Sequence, residues 1–140
     1  MTATFNKFQP FVEELAEKTF NLGSDTLKVM LTNSAPVNTN SQKSNLTDIS
    51  AGNGYSAGGT AATISSSAQS SGTYKLVLAD VTFTASGGSI GPFRYAVLYD
   101  STATNSELIG WWDYGSATTL ADGESFTVDF DGTAGVLTLA

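Results

Sequence analysis

Cysteine and histidine are both absent from the 140 residues of the chain. Without cysteine there are no disulfides and no thiolate metal ligands. Without histidine the commonest general base and the commonest metal ligand are gone together. Basic residues are scarce, six against thirteen acidic ones, for a net charge of -7. No run approaches the roughly 20 apolar residues of a membrane span. Met1–Pro10 carries the lone Lys7 and no apolar stretch of the kind a secretory signal needs. The expectation is a chain made and folded in a cytoplasm, with no membrane partner.

The charge is unevenly placed. Through Leu76, Lys7, Lys18, Lys28, Lys43 and Lys75 balance Glu13, Glu14, Glu17, Asp25 and Asp48. Beyond it, Arg94 alone faces Asp80, Asp100, Glu107, Asp113, Asp122, Glu124, Asp129 and Asp131. An acidic half repels phosphate, which argues against nucleic acid as a partner. It suits a solubilising surface or a face that meets a basic partner.

One domain fits the length, and three zones follow one another. Phe8, Phe11, Val12, Leu15 and Thr19 recur at helical spacing, which predicts a helix over Asn6–Asn21 with Asn6 as cap, Pro10 in the first turn and Gly23 as the left-handed stop. Residues 1–24 therefore read as an N-terminal helix or arm. Thr26–Thr32 alternates Leu27, Val29 and Leu31 against Thr26, Lys28 and Met30, a strand with one face buried. A polar excursion then runs over residues 33–72, with short edge strands near Ala61–Ser65. Its GNGYSAGG segment predicts a tight turn around an anchoring Tyr55.

From Lys75 onward the chain reads as strands. They are Lys75–Thr84 (Val77, Val81 and Phe83 on one face), Phe93–Tyr99 (Phe93, Tyr95, Val97 and Tyr99 on one face), Leu108–Tyr114 and Ser125–Phe130. Asp131-Gly132 opens a hairpin into Val136–Leu139. The fold class is mainly β: an antiparallel β-sandwich, Ig-like or jelly-roll-like, with one N-terminal α-helix and a single domain over 25–140.

The chemistry is sparse. Asp122, Glu124, Asp129 and Asp131 could supply oxygen ligands to calcium, but turn chemistry already accounts for Asp122-Gly123 and Asp131-Gly132. No carboxylate pair stands out for glycoside hydrolysis, and no flanking pattern supports a Ser-Lys pair. No catalytic residue, cofactor or metal is expected. Trp111 and Trp112 adjoin on one strand, so one points inward and the other outward. The outward ring, taken as Trp112 beside Tyr114, suits a protein interface or a sugar platform. Phe5, Phe8 and Phe11 suit an arm reaching into a partner. The candidate partner-binding residues are Phe5, Phe8, Phe11, Tyr55, Trp112 and Tyr114.

Four segments together, LGSDTLKVMLTNSAP, GNGYSAGG, VTFTASGGSIGPFRYAVLYDSTATNSELIGWWDYG and TLADGESFTVDFDGTAGVLTL, resemble small virion structural proteins of tailed bacteriophages. The resemblance runs from Phe20 to the end. It implies a non-enzymatic particle component: a capsid decoration (cement) protein first, a head-fibre, tail or neck component otherwise. It also implies a virion location after synthesis in the host cytoplasm, the major capsid protein or other virion proteins as partners, and a homo-oligomer, a trimer among the options. The rival from another class is a carbohydrate-binding module using Trp112 and Tyr114.

Overall fold

The computed structural model describes residues 3–140. Its elements are β1 (Phe5–Lys7), α1 (Gln9–Ala16), β2 (Leu27–Thr32), β3 (Thr60–Ala62), β4 (Ile64–Ser70), β5 (Thr73–Leu78), β6 (Val81–Thr84), β7 (Ile90–Asp100), β8 (Leu108–Leu120), β9 (Ser125–Val128) and β10 (Leu137–Leu139). A short 3-10 turn lies at Lys43–Asn45. The chain is mainly β, with antiparallel pairing and one α-helix, as its alternating segments predict. Among the described residues no helix is long and apolar enough to cross a membrane.

Among the described residues three sheets form, in the orders β1-β8-β7-β2-β3, β10-β5-β4 and β6-β9. All three feed one core: Leu27, Val29, Leu31, Ala96, Leu98 and Ile109 from the largest sheet, Leu76 and Leu78 from the second, Val81, Phe83 and Val128 from the third. Removing this apolar surface from water supplies the main drive for folding. A smaller cluster of Phe8, Met30, Val97, Tyr99 and Leu108 covers the opposite face of the largest sheet, with Leu46 and Trp111 packed against it. Met30, expected on a solvent face, is therefore fully buried. The polar excursion and Phe8 fold over that face and hide what strand alternation alone assigns to water.

Several boundaries differ from expectation for identifiable reasons. Asn6 does not cap a helix. It pairs with Trp111 in the β1–β8 ladder, and its side-chain amide donates to the Trp111 carbonyl at 3.3 Å. The helix begins only after Phe8, whose extended backbone precedes it, and Pro10 sits in the first turn. It stops at Lys18 (φ 74°), where Thr19 N–H donates to the Glu14 carbonyl and Lys18 N–H to that of Leu15. These are the two bonds of a Schellman ending, closed one turn before Gly23. Residues beyond the helix still bury Phe20 and Leu22.

Lys75–Thr84 splits at Ala79 and Asp80 into β5 and β6, which belong to different sheets. Asp80 accepts the Phe130 N–H and Ala79 N–H reaches the Thr63 carbonyl, so the break is fastened on both sides. Phe93 does not share a face with Val97 and Tyr99. Between Phe93 and Tyr95 the partner on β8 jumps from Thr118 to Asp113, a bulge that reverses the alternation. Asp131-Gly132 opens no β9–β10 hairpin. Asp131 accepts the N–H groups of Thr133 and Ala134, and β10 crosses to pair with β5.

The excursion is held down along its length. Thr32 pairs with Asp48, and Gln42 with Glu107. Its last part, β4, forms a hairpin with β5 through Ser71 (φ 52°) and Gly72 (φ 84°), the positive-φ pair that suits the twist of a two-residue turn.

Candidate functional site

Tyr55 is the anchor its glycine-rich surroundings predict, and it is buried. Its hydroxyl donates to Asp48 and accepts the Leu31 N–H at 3.0 Å, while Asp48 also takes the Gly58 N–H at 2.6 Å. The Tyr99 hydroxyl donates to the Gly58 carbonyl. Gly59 (φ 83°) lies so close to the Val29 carbonyl that no side chain fits. Burial, and then the bond to Asp48, push the Tyr55 hydroxyl far above its usual range. Burial also pushes Tyr99 up to about 12. These phenols fasten the excursion onto β2 and β7.

The paired tryptophans do divide between two faces, in the opposite sense to expectation. Between Leu98 and Tyr99 the β8 register shifts past Ile109, so Trp112 shares the side of Ile109 and the main core. Trp112 rests against Phe5 and Phe130, and Tyr114 edge-on against Phe126. At 7% and 9% exposure, neither ring offers a face to a sugar or a partner. Phe8 and Phe11 are equally core residues. Trp111 is the outward ring, tilted against Phe8 with centroids 4.5 Å apart.

Of the six candidate partner-binding residues, Phe5 alone reaches the surface in part. It lines an open cleft of about 630 Å³ of mixed polar and apolar character, with Pro36, Val37 and Trp111 beside Asn6, Lys7 and Asn38, and Val37 is 54% exposed. The cleft flanks β1, the end strand of the largest sheet. Gly110 admits the Phe5 ring, which occupies the place a Cβ would take. A hollow of this mixed kind beside an end strand can receive an extended segment through polar contacts and one or two apolar anchors.

A larger groove of about 1150 Å³ lies between the end of α1, the 18–25 loop, the β4–β5 hairpin and the 102–107 loop. Leu15, Phe20, Leu22 and Leu139 give it apolar walls, and Asp25 and Glu107 line it. Each of these carboxyls is backed by a second. Asp100 is fully buried at the end of β7. Its Oδ1 accepts the N–H groups of Thr102 at 2.9 Å and Ala103 at 3.2 Å, while its Oδ2 has no donor and faces Asp25. Burial first, then Asp25, push Asp100 up to about 7. Glu14 Oε2 is likewise buried without a donor. Burial, Glu107 and then Glu13 raise the Glu14 carboxyl above its ordinary value.

The acids singled out for calcium do not converge. Asp122 accepts the Gly87 N–H, Glu124 that of Ala121, and Asp131 those of its own turn. Among the described residues no group of three or more His, Cys, Asp or Glu side chains is placed to hold a metal. Sequence reasoning missed the groove because its carboxyls stand at positions 14, 25, 100 and 107, on four separate segments. The one local signal was Asp100, a charge closing an apolar strand. No protein-family model, curated protein or solved structure matches the chain.

Proposed function

We propose that the chain is a non-enzymatic structural component of a tailed-phage particle, a capsid decoration protein that binds the outer shell and stabilises it. A tail or neck position is the variant of the same reading. The antiparallel sheets are read as a β-sandwich of Ig-like or jelly-roll-like type. The partners are the major capsid protein or other virion proteins, with self-association around a local symmetry axis. The single observation that carries this reading is the open cleft at β1, an end strand of the largest sheet, where Phe5, Pro36, Val37 and Trp111 stand among Asn6, Lys7 and Asn38. Cement acts by adding interface area between neighbouring subunits, and a stiff β body with an open cleft at an end strand suits that work. The sequence segments that resemble virion proteins point the same way.

Cosedimentation tests it. Purified chain, mixed with expanded heads of the encoding phage that lack it, is expected to pellet with them at a saturable ratio. Trp111→Ala should weaken that binding about tenfold or more while leaving the fold intact, since a partly exposed interface aromatic carries a large share of binding energy. Failure of the wild-type chain to pellet with heads or tails overturns the proposal.

A further inference from the structure

β4 ends its sheet, with β5 as its one ladder partner among the described residues. At seven residues it is the longest end strand, the others having three or four. The register fixes which way its main chain points. On β5 the Leu76 carbonyl accepts the Val136 N–H, on the β10 side. Leu76 and Tyr74 therefore turn their N–H and C=O groups to β10, and their opposites Ser67 and Gln69 turn theirs away from β5. Among the described residues nothing bonds to those outward groups. Gly23 lies beside the Ser67 hydroxyl but makes no main-chain bond to that residue. Sheets commonly guard a long edge with charge, proline or a covering segment. Here neither a charged residue nor a proline occurs from Ile49 to Tyr74, and Ser66, Ala68, Gln69 and Ser70 are exposed.

We propose that β4 pairs with β4 of a second copy, antiparallel about a two-fold axis at Ala68, so that two three-stranded sheets become one of six strands. The inference rests on the self-association in the proposed function and names the surface that performs it. Three observations select a second copy as the occupant. The outward groups are self-complementary: with Ala68 on the axis, Ser67 of each copy meets Gln69 of the other, and every donor and acceptor is used. Ser66 then lies opposite Ser70 of the other copy, hydroxyl to hydroxyl. The protein already joins strands that way, at Thr82–Thr127 and Thr84–Ser125 across β6 and β9. Last, a chain of net charge -7 repels its own copy, and this uncharged edge lets two copies approach with no like charges opposed. An edge-to-edge contact is small, so it forms at high concentration or on a crowded surface.

Cysteine trapping tests this, because the chain has no cysteine of its own. Opposed residues of a non-hydrogen-bonded antiparallel pair lie about 4.5 Å apart at Cα, within disulfide reach. Under mild oxidation at about 0.2 mM, Ala68→Cys should link at least about tenfold faster than Ser70→Cys, which lies off the axis. A mixture of Ser66→Cys with Ser70→Cys should link as Ala68→Cys does. In the parent, amide exchange should slow at Ser67 and Gln69 between about 20 µM and about 1 mM. It should not change at Ala68, whose N–H already faces β5. Ala68→Lys sets like charges face to face at an exposed position and should abolish that slowing while dilute protein keeps the parent melting temperature. Ala68→Cys linking no faster than Ser70→Cys overturns the proposal. So does a parent that stays monomeric by sedimentation velocity at about 1 mM, or an association that Ala68→Lys leaves intact. None of these measurements uses heads, and β4 lies outside the cleft at β1, so failure here is distinct from failure of the head-binding test.

Discussion

Asp100→Asn should stabilise the protein at high pH and not at low pH. Asp100 closes β7 with none of its surface exposed. Its Oδ1 holds the turn at Thr102 and Ala103, and its Oδ2 faces the Asp25 carboxyl. Two ionised carboxylates in that position would repel with no donor between them, so one proton is shared. The Asp100 carboxyl rises from an ordinary 3.8 to about 7, through burial first and Asp25 second. Between these values the folded chain keeps a proton that the unfolded chain has released. Stability therefore falls as pH rises through that window and levels off above it. The whole span is worth on the order of 4 kcal/mol.

Asparagine supplies a permanent N–H donor to Asp25, keeps an oxygen for the turn and does not titrate. Near pH 8 the variant should be more stable by about 2–4 kcal/mol, raising Tm by roughly 5–15 °C in a chain of this size. Near pH 4.5 parent and variant should agree within about 1 kcal/mol. Thermal melts followed by circular dichroism at pH 4.5, 6 and 8 read this directly. A difference independent of pH, or a variant weaker than the parent at pH 8, would refute the shared proton.

Three further outcomes are expected. Tyr55→Phe strips a buried hydroxyl from the Leu31 N–H and from Asp48 and should cost about 2–4 kcal/mol in urea unfolding; a loss below about 1 kcal/mol would mean that the anchor is dispensable. Gly59→Ala drives a Cβ into the Val29 carbonyl at a positive φ and should cost about 3 kcal/mol or more. Gly87→Ala, at φ 84° with open space around it, should cost only about 1 kcal/mol, so equal effects would contradict the crowding at Gly59. Trp112→Ala should lose about 3–5 kcal/mol of stability and leave glycan-array binding unchanged; loss of a specific glycan signal without loss of stability would place Trp112 on the surface instead.

The parts of the fold that show in the sequence are those set by local periodicity. Leu27, Val29 and Leu31 announce β2, and the glycines around Tyr55 announce its turn. What stays hidden depends on tertiary context. The bulges at Phe93–Tyr95 and Leu98–Tyr99 reverse side-chain parity, and the glycines on their β8 side, Gly115 and Gly110, do not announce that by themselves, so the outward tryptophan is Trp111 and not Trp112. The helix is cut short because Asn6 finds a ladder partner on β8, a residue 105 positions away. Arg94, the lone base of the acidic half, turns to Asp113 at 2.8 Å, a pairing across β7 and β8 that only the register reveals. The paired carboxyls of the groove carry no motif at all, since their neighbours in space are remote along the chain.

Shell stabilisation is the most direct measure of the central claim. Expanded heads of the encoding phage, prepared without this protein, are melted alone and after saturation with the purified chain. A decoration protein should bind stoichiometrically and raise the melting temperature of the heads, with Trp111→Ala raising it less. Heads that melt at the same temperature with and without the chain, and carry none of it after sedimentation, would contradict the assignment.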